Sequence, residues 1–191
     1  IDENKQLILA YELTIADVVA TEVIEKPKLS IWMILIPIIF VHFFFRMKKM
    51  VAGRRDFSDN FMITRRRALD EACAAAESGG QPNIEKLCKM STVPPVIYPD
   101  YSTWLELLVY HYQGLLHSSG DSYEDLIRAV YKNRTNYLLF LHQLNGVEKR
   151  FNTALKPHLQ DVSPDVDEIV NTMETGCERI RRSHADYVFP S

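Results

Sequence analysis

The run Leu29–Phe45, "LSIWMILIPIIFVHFFF", constrains this chain more than any other stretch. Its 17 residues carry no formal charge, and only Ser30 and His42 are polar. As a helix rising about 1.5 Å per residue it would cover roughly 25 Å, slightly less than the ~30 Å of a typical hydrocarbon core. Leucine, isoleucine and phenylalanine fall on every side of such a helix, from Leu29 through Ile36 to Phe40 and Phe45, leaving no polar stripe for water. Trp32 at one end and the basic flank Arg46, Lys48, Lys49, Arg54 and Arg55 at the other suit the two interfaces. Pro37 removes one helical hydrogen bond, which membrane helices tolerate better than others.

The flanks are asymmetric. Residues 1–28 hold three lysines against six acids, whereas residues 46–67 hold eight bases against Asp56 and Asp59. The lysine and arginine bias predicts one membrane crossing over residues 29–47, with Ile1 outside and the C-terminal part in the cytoplasm. The competing reading is a soluble, cytoplasmic all-α bundle that buries the apolar helix, as a monomer or dimer, and binds a small ligand near its tyrosine- and histidine-rich helix. The run's shortness and His42 favour that alternative.

The rest of the chain predicts an all-α fold. Ile8, Tyr11, Ile15, Val18 and Val19 recur at helical spacing, giving an N-terminal amphipathic helix within residues 1–28 that stops near Pro27. The apolar helix continues into a long basic helix, a stalk over residues 48–90 that Gly79-Gly80 interrupts. A linker over residues 91–100, "STVPPVIYPD", has three prolines and predicts no regular helix. Residues 101–191 predict a small helical bundle. Thr103 with Glu106 and Asp121 with Glu124 have capping-box spacing, Asn145-Gly146 marks a kink, and Ser163-Pro164-Asp165 opens a last helix. Expected core residues are Trp104, Leu108, Leu115, Ile127, Val130, Leu138, Leu141, Leu144, Ile169 and Met173, and residues 99–188 are expected to fold alone.

Chemistry is thin. His111 and His117 are six apart and face different directions, so with Glu106 or Asp121 they make no metal pair, and no metal or cofactor is expected. Three cysteines without CxxC spacing read as buried reduced thiols. The net charge of −3 argues against a general nucleic-acid partner. No catalytic motif emerges, and the chain is expected to be non-enzymatic. It opens on Ile1, so a native start upstream is expected. The last helix places Val166, Val170, Met173, Cys177, Ile180 and His184 on one seam of alternating four and three. Packing on the helix through Leu126–Leu144 is the first expected cover. A partner protein or a second copy, meeting Val170, Met173, Cys177 and Ile180, is the other. The predicted action is helix-mediated association from a membrane.

Overall fold

A computed structural model describes residues 1–24, 53–91, 93–159 and 166–190, with side chains described from residue 61 onward in the second stretch. Every regular element among them is helical. Seven α-helices follow in order: α1 Asp2–Ile24, α2 Gly53–Ser78, α3 Ile84–Lys89, α4 Tyr98–Leu116, α5 Tyr123–Tyr131, α6 Arg134–Leu155 and α7 Val166–Val188.

The five long helices close a ring, with α1 on α2, α2 on α4, α4 on α6, α6 on α7, and α7 back on α1. Their buried positions explain the ring. On α1 these are Ile8, Glu12, Ile15, Val19 and Val23, three to four apart, so one stripe faces inward. α2 answers with Phe61, Met62, Ala68, Leu69 and Ala72, whose small alanines let the two helices approach. Lys5–Asp70 at 2.7 Å and Glu12–Arg65 at 3.0 Å fix the pair as antiparallel. α5 leans on α1, α4, α6 and α7 and fills one side of the ring, while α3 packs on α4. Phe151 of α6 is fully buried between Tyr101 and Trp104 of α4, 5.4 Å from each ring centre. Burying one such ring contributes about 3 kcal/mol.

This packing overturns the single-pass reading. One crossing over residues 29–47 would separate α1 from everything after it by a bilayer about 30 Å thick. Instead α1 is a stave of the same ring as α2 and α7, and Ile8 belongs to the main core. Because α1 and α2 are antiparallel, the ends that bracket residues 25–52 lie at one end of the bundle. Ile1 and the C-terminal helix therefore share one side. Among the described residues no helix is long and apolar enough to cross a membrane. The membrane location built on that crossing, with a cytosolic C-terminal domain, falls with it. The run itself, including Leu29, Trp32, Ile36, Pro37, Phe40 and Phe45, lies outside the described residues, as do Arg46, Lys48 and Lys49. Arg54 and Arg55 fall in the first turn of α2. α2, the expected stalk, lies along α1 and α4 in the bundle.

Helix boundaries differ from expectation for local reasons. α4 starts at Tyr98 because Pro99 occupies its first turn, where the missing N–H has no helical partner to lose. Thr103 is thus interior, and its hydroxyl donates to the Pro99 carbonyl at 2.8 Å. α5 is capped by Ser122, not Asp121: the Ser122 hydroxyl accepts from the Asp125 N–H at 3.2 Å. Helix ends at Lys132, where φ is +66°, and Asn133 caps α6 by accepting the Asn136 N–H at 2.9 Å. α6 then runs unbroken through Asn145-Gly146. Gly79, at φ +67°, does stop α2 as expected. The Ser163-Pro164-Asp165 start lies outside the described residues, and α7 follows directly at Val166.

Of the expected core, Trp104, Leu108, Leu115, Ile127, Leu141, Leu144 and Ile169 are buried, and Val130, Leu138 and Met173 pack partly buried against them.

Candidate functional site

Four of the five ring helices each bring one charged residue to the centre. Glu12 of α1, Arg65 of α2, Glu148 of α6 and Arg181 of α7 form a continuous chain of ion pairs. Arg65 meets Glu12 through Nε at 3.0 Å and Glu148 through an NH2 donor at 2.8 Å. Arg181 binds Glu148 in bidentate fashion at 2.5 and 3.0 Å and also donates to Asn145 Oδ1 at 2.6 Å. Tyr112 of α4, fully buried, donates to the other oxygen of Glu12 at 2.8 Å. Two carboxylates balance two guanidiniums, so the centre is neutral and its charges are paired. Unpaired, any one of them would cost several kcal/mol to bury.

The electrostatics follow from this arrangement. Burial alone would push the Glu148 carboxyl up, but Arg181 and Arg65 outweigh it and hold the group below the usual carboxylate range. Burial acts against the Arg181 charge as well, and Glu148 overrides it, so Arg181 holds its proton more firmly than usual. Burial pushes the Cys177 thiol up to about 11, partly offset by Arg181. Cys177 is therefore an inert thiol at neutral pH. Cys73 and Cys88 are also free and buried, and burial raises both.

A cleft of about 60 Å³ opens beside this network, lined chiefly by Phe61, Trp104, Met173 and Cys177, with Arg65 and Glu148 also among its lining residues. The Arg65 guanidinium lies 3.8 Å from the Phe61 ring centre and 5.7 Å from that of Trp104, so both rings face a cation. At the rim Asn152 donates to one oxygen of Glu174 at 2.9 Å. The space is well under the ~150 Å³ of an apolar cavity that takes a whole benzene ring, so it holds a few waters or the edge of one ring entering from the mouth.

A second polar cluster lies under α5. The buried ring of His111 is bonded to the Tyr131 hydroxyl at Nδ1, 2.7 Å, and faces the Tyr123 hydroxyl from Nε2 at 3.4 Å, while stacking on Phe140. His117 and His142 are exposed, His117 at the rim of a hollow that His111 and Tyr131 also line. Among the described residues no group of three or more histidines, cysteines, aspartates or glutamates is placed to hold a metal ion.

The seam on α7 splits between two neighbourhoods. Val166 and Val170 enter the main core, and Ile169, Met173, Cys177 and Ile180 pack with Ile15, Val19 and Val23 of α1 and Phe61 and Met62 of α2. So α1 and α2 supply much of its cover, and Met173 and Cys177 also reach the cleft. The network residues Glu12, Arg65, Glu148 and Arg181 were not picked out from the sequence. A signal existed: Glu12 interrupts the Ile8–Ile15 stripe, Glu148 sits between Leu144 and Phe151, and Arg181 follows Cys177 by one turn. Charges embedded in apolar stripes are the mark of a buried polar centre.

Comparison with known protein families, curated proteins and solved structures finds no match.

Proposed function

We propose that the bundle is a non-enzymatic binding protein whose cleft takes the edge of a single small aromatic group carrying a hydrogen-bond donor, the rest of the ring staying at the mouth. The observation behind this reading is the composition of the cleft. Phe61, Trp104 and Met173 offer flat, polarizable walls, and Glu174 offers a carboxylate oxygen beyond the one that Asn152 occupies. The charged groups behind the cleft support binding over catalysis. Glu148 accepts from two arginines at once, so it is committed as a counter-ion and is a poor general base.

Phenol and toluene test the reading by saturation-transfer NMR against the full chain. Phenol is expected to bind and toluene to bind more weakly, and Glu174→Ala is expected to erase the difference. Met173→Trp fills the cleft and is expected to abolish both signals while the thermal melt survives. Failure of phenol to bind at millimolar concentration, or binding that Met173→Trp leaves untouched, would rule the cleft out.

A further inference from the structure

The outer face of α4 and α6 carries two large apolar side chains that nothing among the described residues covers. Tyr110 is 75% exposed and Leu139 is 57% exposed. They belong to stripes at helical spacing, Glu106 and Tyr110 on α4 and Leu139, Gly146 and Arg150 on α6. The two helices run antiparallel. At one level Glu106 and Tyr110 share a hollow with His142, Gly146 and Arg150; at the next, Tyr110 shares one with His117 and Asn136. The result is a shallow groove about 20 Å long, given the helical rise.

We infer that this groove is the contact of a homodimer, with a two-fold axis lying along it. Rotation by half a turn about such an axis places α4 of each copy over α6 of its partner, at the same height. Charge then matches on both sides. Glu106 meets the partner's arginine at the level of Arg150, and Arg150 meets the partner's glutamate. Among the described residues neither takes an ion pair. Shape matches too. Gly146 lines the same hollow as Tyr110, and an added Cβ there would meet nothing within 4 Å, so the partner's tyrosine ring has an open floor to lie on. Leu139 extends the apolar centre. An arbitrary partner would need the same opposed charges and the same knob and hollow; a second copy of this chain supplies both by symmetry. The inference is independent of the cleft, which lies beside α2 and α7.

Sedimentation velocity of the full chain at micromolar concentration is the test, with circular dichroism melts as the control for folding. A dimer is expected. Glu106→Arg and Arg150→Glu, each alone, turn both pairs into repulsions and are expected to weaken dimerisation at least about tenfold. The double reversal restores both pairs and is expected to recover most of the loss. Tyr110→Glu, on an exposed position, is expected to give a folded monomer. A wild-type monomer, a dimer indifferent to Tyr110→Glu, or a double reversal that rescues nothing would each overturn the inference.

Discussion

His111 shows how one buried group sets the acid stability of the protein. Its ring is enclosed by Tyr131, Tyr123 and Phe140, and burial, helped by Arg181, lowers its pKa to about 3 from the ordinary 6.5. The folded state therefore holds it neutral, while the unfolded chain protonates below about 6.5. A base with a depressed folded pKa contributes fully above the unfolded value and loses that contribution as pH falls toward the folded one. Each pH unit in that window costs at most about 1.4 kcal/mol. Glu148 acts lower: its depressed pKa stabilises above the ordinary carboxylate value of 4.5 and fails only below it. His184, also lowered by burial, titrates in the histidine window in every variant and cancels in a comparison. His111→Gln can keep a hydrogen bond to Tyr131 but cannot titrate. Between pH 6.5 and 4.5 its melting temperature is expected to fall less than that of the parent. Parallel melting curves across that range would show that His111 does not govern the acid limb.

At the scale of elements, the junction of α5 and α6 is the most exacting piece of local structure. Lys132 takes φ +66°, a region costly for any residue with a Cβ, and Asn133 immediately restarts the chain by capping α6. Lys132→Gly relieves the strain and is expected to stabilise by about 1 kcal/mol, whereas Asn133→Ala removes the cap and is expected to cost about 1 kcal/mol. Chemical denaturation of both variants checks the pair, and equal effects of the same sign would refute the account. This junction was illegible in the sequence, where "YEDLIRAVYKNRTNYLLFLHQL" keeps an unbroken apolar period and points to a break at Asn145-Gly146 instead. A glycine mid-helix costs about 1 kcal/mol, which the packing of Leu144, Val147 and Phe151 outweighs. The Tyr98 start of α4 was hidden for a related reason: a proline reads as a breaker unless it falls in a first turn. Helical class, the Gly79 stop and most of the core were legible because they depend on periodicity and composition over many residues. The cleft was not, since Phe61, Trp104 and Met173 meet only through the ring of helices.

For the whole molecule, the decisive fact is that the segment before the apolar run and the segment after it build one core. Residue count and charge flanks speak only to the run itself, so they could not show that α1 returns to pack on α2 and α7. The same fact bears on whether residues 99–188 stand alone. Without α1 and α2 that fragment keeps the Glu148–Arg181 pair but loses Arg65 and Glu12, along with the Tyr112–Glu12 hydrogen bond. It also strips Ile8, Leu69 and Ala72 from the main core and Ile15, Val19, Phe61 and Met62 from the cover of α7. Several buried side chains at about 1.5–3 kcal/mol apiece are comparable to the whole 5–15 kcal/mol that holds an ordinary domain together. The fragment is therefore expected to show helical circular dichroism without a cooperative melt, whereas the full chain melts in one transition. Adding residues 1–24 and 53–91 as separate peptides is expected to restore some cooperativity, because the charge network and both apolar faces are then complete. A fragment that melts as sharply as the full chain would mean that α1 and α2 are dispensable to the bundle, and that the Glu12–Arg65 end of the network is ornament on a self-sufficient core.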